Sequence, residues 1–115
     1  MTMLKTEIKL NENRIIADGK YEPERIFWSV DNAFFRFGFR KEVLDDGSVC
    51  YLGNGNPRDY GAFGATITSL KDQEWFMPYV DKWLWWNSDR GKTDDDFYVE
   101  DVLEFYEKKG LLNNT

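Results

Sequence analysis

Phe39-Arg-Lys-Glu-Val-Leu44 and Val49-Cys-Tyr-Leu52, joined by Asp45-Asp46-Gly47-Ser48, form the stretch on which the fold turns. Asp-Gly between two apolar runs is a strong short-range hairpin signal, because both residues tolerate the positive φ that tight β-turns require. The stretch therefore predicts two antiparallel strands.

Upstream of it, the segment from Pro23 to Phe37 reads as a helix. Proline suits a first helical turn, where its missing N–H would have had no partner, and Gly38 supplies a left-handed stop. Ile26, Val30, Ala33, Phe34 and Phe37 recur at helical spacing on one face, with Trp28 and Phe35 roughly opposite. Two apolar stripes lead us to expect packing on both sides of this helix. Nearer the N-terminus, Leu4, Thr6, Ile8 and Leu10 alternate with Lys5, Glu7 and Lys9, the period of a half-buried strand. Asn11-Glu12-Asn13 reads as a turn and Arg14–Ala17 as a short return strand, broken by Asp18-Gly19.

Downstream, Gly53-Asn54-Gly55-Asn56-Pro57 is a loop extended by Asp59, Gly61 and Gly64. A helix is expected from about Ala62 to Asp72, carrying Ala65, Ile67 and Leu70; the β-branched run Thr66-Ile67-Thr68 makes a strand the alternative. Glu74–Asn87 reads as the next helix, with Trp75, Tyr79, Trp83 and Trp86 on one stripe, Phe76 and Val80 beside it, and Pro78 either near its start or kinking it. After a polar loop over Asn87–Lys92, Thr93 and Asp96 make a capping box, and Asp94–Asp96 sit at the positive end of a helix dipole. That last helix is expected to run to Lys109, stop at Gly110 and bury Tyr98, Val99, Val102, Leu103 and Tyr106. The order is β-β-α-β-β-α-α-α. It predicts an α+β fold, a small antiparallel sheet with helices packed mainly on one face. With no repeat or linker, residues 1–115 read as one domain, with 111–115 as a frayed tail.

Composition supports a folded chain. Of 115 residues 42% are hydrophobic and 17% aromatic, including 5 Trp, which is enough apolar surface to offset the entropy of ordering the backbone. The net charge of −6 is unevenly placed. Residues 1–58 hold nine basic and nine acidic side chains, whereas 59–115 hold six basic and twelve acidic ones. Such a C-terminal half is poorly suited to a phosphate backbone, whose affinity comes from Lys and Arg. The lone Cys50 and the lack of a signal-like or bilayer-length apolar run lead us to expect a cytoplasmic protein without membrane contact. Its size and composition also resemble those of small bacterial cytosolic proteins.

The chain has no histidine, which excludes Ser-His-Asp and Cys-His nucleophiles and every His-bearing zinc site. A single cysteine excludes CxxC redox chemistry and thiolate zinc clusters. Carboxylates are plentiful, but Asp45 and Asp46 suit a turn and Asp94–Asp96 a helix start. Asn87–Phe97 has the composition of a calcium loop, yet no register places ligands at the first, third and fifth positions before glycine at the sixth. Gly53-x-Gly55 lacks the third glycine and the Lys-Ser/Thr of a phosphate cradle. No cofactor and no metal is expected, and an enzyme is not.

Two surface features remain. Trp85 has Lys82, Asp81 and Pro78 as helical neighbours, so it is expected on the polar face of the 74–87 helix, as an interface aromatic or tucked under the following loop. Seven acidic side chains and no basic one lie between Asp94 and Glu107. Among them Glu100, Asp101, Glu104 and Glu107 mark the outer side of the last helix, either as a solvated face or as a docking surface for a basic protein. The sequence thus points to a small acidic protein-binding module, immunity- or inhibitor-like or accessory. A second reading is a small-ligand domain using the tryptophans and the loop of Gly53, Asn54, Gly55, Asn56 and Asp59. A carboxylate- or metal-dependent enzyme is the third and weakest.

Overall fold

Strand β1 (Leu4–Leu10) is the one its alternation predicts, but the chain leaves it into a helix and not a return strand. In the computed structural model, which describes residues 4–87 and 98–108, Glu12–Asp18 forms α1. The expected strand over Arg14–Ala17 is thereby corrected, and the reason is local. The Asn11 side chain accepts a hydrogen bond from the Arg14 N–H at 2.9 Å, an N-cap, and Gly19 closes the helix at φ 66°. Ile15-Ile16-Ala17 is too short to show a period, and Ile15 alone enters the core while Ile16 stays outside.

Helix α2 spans Pro23–Phe35 and buries Ile26, Val30 and Phe34. Its second apolar stripe is not packed. Trp28 is 68% exposed and Phe35 43%, which corrects the expectation of cover on both sides. The hairpin follows as read: β2 (Arg40–Val43) and β3 (Val49–Leu52) pair antiparallel, with Gly47 at φ 85° in the turn. Helix α3 runs Asp59–Lys71, starting three residues before the expected Ala62. The Thr66 hydroxyl donates to the Ala62 carbonyl at 2.9 Å, which accommodates this β-branched residue inside the helix.

The expected helix over Glu74–Asn87 is the largest correction. Met77–Tyr79 forms one 3₁₀ turn around Pro78, and Val80–Asn87 is strand β4. Tyr79, Trp83 and Trp86 fit a helical stripe, but Trp83 and Trp85 also fit period two, and pairing with β1 selects the latter. The last segment is corrected as well. Tyr98–Asp101 is strand β5 and only Val102–Lys108 is helical, as α4, which begins where Asp101 accepts the Glu104 N–H at 2.9 Å. The expected capping box at Thr93–Asp96, the loop beyond Asn87 and the end at Gly110 lie outside the described residues.

The sheet order is β2-β3-β1-β4-β5, antiparallel throughout, so the fold is α+β. Cross-strand register places Thr6 beside Tyr51 and Trp85, and Ile8 beside Val49 and Trp83. The four ring contacts that follow all lie on this face. Phe34 of α2 stacks on Tyr51 at 4.2 Å, and Phe63 of α3 meets Trp85 edge-on at 5.2 Å. Phe76 does the same to Trp83 at 5.1 Å, and Tyr106 of α4 tilts onto Trp83 at 6.0 Å. The buried Trp83 indole N–H donates to Thr6 Oγ1 at 3.1 Å, and that hydroxyl donates to the Leu84 carbonyl at 2.8 Å, so every polar group is satisfied there. On the other face Lys82 bridges Glu7 and Asp46 at 2.5 and 2.7 Å. Among the described residues no helix is long and apolar enough to cross a membrane.

Candidate functional site

Trp85 and Glu100 are fifteen residues apart in sequence and directly opposite one another in the sheet. Because β4 alternates, Trp85 takes the same face as Trp83, the face that the helices cover. It is partly buried: its ring lies edge-on to Phe63 at 5.2 Å and to Tyr60 at 6.3 Å. The inner side of the ring therefore belongs to the core and the outer side to the surface. The sequence placed Trp85 on the polar face of a helix. The structure instead makes it the floor of a groove of about 220 Å³ between α3, α4 and the β4–β5 pair.

Each wall follows from local spacing. From α3 come Tyr60, Gly64, Ile67 and Thr68, at intervals of four, three and one that keep them on one helix face. From α4 come Val102, Phe105 and Tyr106, again one face. Tyr60 is 66% and Phe105 50% exposed, so the rims are aromatic and open to solvent. Gly64 is informative. A Cβ there would meet nothing within 4 Å and its φ is not positive, so neither packing nor backbone requires glycine at a helix-interior position where it costs about 1 kcal/mol against alanine. Its absence of a side chain keeps the groove open.

The acidic face expected on the last helix, Glu100, Asp101, Glu104 and Glu107, is rearranged. Its four described members are split between β5 and α4 and do not form one helix face. Asp101 is occupied as the cap of α4, and Glu104 pairs with Lys108 at 2.7 Å. Among the described residues Glu100 and Glu107 have no hydrogen-bond or ion-pair partner, and both are exposed. Glu100 also lines the groove. Asp94–Asp96 lie outside the described residues.

The glycine-rich loop is filled from within. Asp59 is 5% exposed, and its Oδ2 accepts the backbone N–H groups of Asn54 at 2.7 Å and Asn56 at 3.1 Å. Those are the donors a phosphate or carboxylate ligand would use. Gly53 is needed because a Cβ would stand 2.7 Å from the same carboxylate oxygen. Gly55 takes φ 75°, and the Asn54 side chain donates to the Gly38 carbonyl at 3.0 Å. This loop is a brace for the start of α3.

A second hollow, of about 390 Å³, lies between α2 and the hairpin. Its polar centre is Asp31, which accepts from the Tyr51 hydroxyl at 2.5 Å and the Lys41 ammonium at 2.9 Å. Burial, then the bond to Asp31, holds the Tyr51 phenol far above its ordinary range, so it stays a protonated donor. Each carboxylate oxygen accepts one of these bonds, so Asp31 anchors Tyr51 and Lys41 together. Among the described residues no group of three Cys, Asp or Glu side chains is placed to hold a metal ion. Buried Cys50 has its thiol pushed up to about 11, chiefly by desolvation, which makes it unreactive at neutral pH.

Of the other tryptophans, Trp83 is fully buried, Trp75 packs against the core and Trp86 lies on the opposite sheet face under the Lys5 ammonium at 4.8 Å. Tyr60 and Phe105 were not singled out from sequence. Tyr60 shares an i, i+4, i+7 stripe with Gly64 and Ile67, a signal that appears only once α3 is started at Asp59. Comparison with protein-family models, with curated proteins and with solved structures finds no match. The geometry alone carries the functional reading.

Proposed function

We propose that this chain is a non-enzymatic binding module, a small acidic inhibitor or accessory protein of the cytoplasm, that engages a basic protein partner through the groove floored by Trp85. The single observation behind this reading is the cross-strand pairing of Trp85 with Glu100 in a concavity rimmed by exposed aromatics. Interface hot spots favour this combination, an aromatic anchor in a pocket with charges at the edge. The rim carboxylates contribute mainly to encounter rate and partner choice, each adding at most about 1 kcal/mol of affinity. The ring supplies most of the holding energy. The outer stripe of α2 is a weaker candidate because the hollow of about 520 Å³ beside Trp28 sets the cation Arg25 alongside Glu22 and Glu24, where it opposes a basic partner.

The test is affinity capture from the source organism with wild type and with Glu100→Lys/Glu107→Lys, followed by reconstitution with the purified partner. Loss of that partner in a variant that keeps its melting temperature is expected. Equal capture by both proteins contradicts the reading.

A further inference from the structure

We infer that the groove takes a single arginine side chain from the partner, seated between the aromatic rims with its guanidinium on Glu100; the inference rests on the reading of this face as a docking surface for a basic protein. Size comes first. About 220 Å³ is smaller than the roughly 300–1,000 Å³ of pockets that hold small-molecule ligands, so the groove suits one long side chain. Its walls fit the stem. Gly64 leaves room for methylenes, and Val102 and Ile67 offer them apolar contact, as long basic side chains require when only their heads carry charge.

The Trp85 floor and the Tyr60 rim fit the head. Tyr60 and Trp85 stand at 76° to one another, so a planar cation in the corner has two differently oriented ring faces against which it can stack. Trp provides the strongest cation–π surface of the aromatic residues. The molecule already uses this chemistry next door, where the Lys71 ammonium lies 5.8 Å from the Tyr106 ring centroid. Glu100, beside Trp85 and without an ion-pair partner among the described residues, presents the carboxylate that a guanidinium can grip through two parallel N–H donors. Arginine is favoured over lysine because its planar, weakly hydrated head stacks on rings and bonds a carboxylate together, whereas an ammonium is a strongly hydrated point charge.

The probes are acetyl-Gly-Arg-Gly-amide and its lysine and citrulline counterparts, citrulline being the neutral near-isostere of arginine. Each is titrated into the ¹⁵N-labelled protein while the Trp85 indole and Gly64 amide signals are followed. The arginine peptide is expected to shift both signals saturably, with the citrulline peptide about tenfold weaker and lysine between them. Glu100→Gln should weaken arginine binding about fivefold and leave citrulline binding unchanged, and Tyr60→Leu should weaken the arginine peptide comparably. Equal affinity for arginine and citrulline, a preference for lysine, shifts confined to other tryptophans, or no saturable binding overturns the inference. Capture of the partner by wild type and not by Glu100→Lys/Glu107→Lys, with no preference for arginine, leaves the docking surface standing and removes the arginine seat alone.

Discussion

Replacing Gly64 with alanine should make the protein more stable, and replacing it with leucine should make it blind to its partner. Gly64 lies at the sixth position of α3, where its backbone is helical, and a Cβ there meets no atom within 4 Å. Alanine thus adds no clash and removes the conformational entropy that glycine loses on folding, a gain of about 1 kcal/mol. For a chain of this size that raises the melting temperature by about 4 °C. Leucine has nearly the same helix propensity, so it keeps most of that gain, but its branched end stands in the groove. We expect affinity for the arginine tripeptide to fall at least tenfold in Gly64→Leu, the equivalent of about 1.4 kcal/mol. Gly61→Ala is the internal control. It too has open space at its Cβ and sits on the same helix, yet it does not line the groove, so it should leave binding unchanged. Chemical denaturation supplies the stabilities and the indole titration the affinities. A destabilised Gly64→Ala would show that the space is not open, and undiminished peptide binding by Gly64→Leu would show that the groove is not the site.

Further outcomes follow from the same geometry. Asp59→Ala strands the Asn54 and Asn56 amides and removes a buried carboxylate from the start of α3, so urea denaturation should show a loss of about 3 kcal/mol, while a loss below about 1 kcal/mol would contradict the bracing role. Cys50 should resist thiol reagents at pH 7 in the native protein and react fully on unfolding; rapid native labelling would place it at the surface. The hydrogen bond from Lys82, then those from Ser48, hold the Asp46 carboxyl well below its ordinary value of 3.8. Its contribution to the hairpin turn is therefore complete above pH 3.8 and lost as the pH falls through the lower folded value. A carboxyl ¹³C titration should find Asp46 still ionised at pH 3.8, and Lys82→Met should return it toward the usual range; a wild-type midpoint already at 3.8 would refute the pairing.

The elements that were legible in sequence are those whose signals are local. The Asp46-Gly47 turn, the alternation of β1, the proline start of α2 and the Gly38 stop each act within a few residues. The errors arose where two periods coincide or where a partner decides. Tyr79, Trp83 and Trp86 satisfy a helical stripe while Trp83 and Trp85 satisfy a strand, and only the need of β1 for a second neighbour resolves them. Ile15-Ile16-Ala17 carries no period at all, and its outcome depends on the caps at the two ends of α1, the Asn11 side chain and Gly19. The acidic run was visible as charge, but its use was not: Asp101 caps, Glu104 is paired, and Glu100 gains meaning only by lying opposite Trp85. Tyr60 and Phe105 were invisible as site residues because their convergence is made by α3 and α4 packing on one sheet face.

Site-specific photocrosslinking tests the central claim most directly. A benzophenone side chain at position 60, on the groove rim, is compared with one at position 28, on the outer flank of α2. With the partner purified after capture, the account predicts an adduct from position 60 that maps to an arginine-bearing segment of the partner, and none from position 28. An adduct from position 28 alone would contradict it.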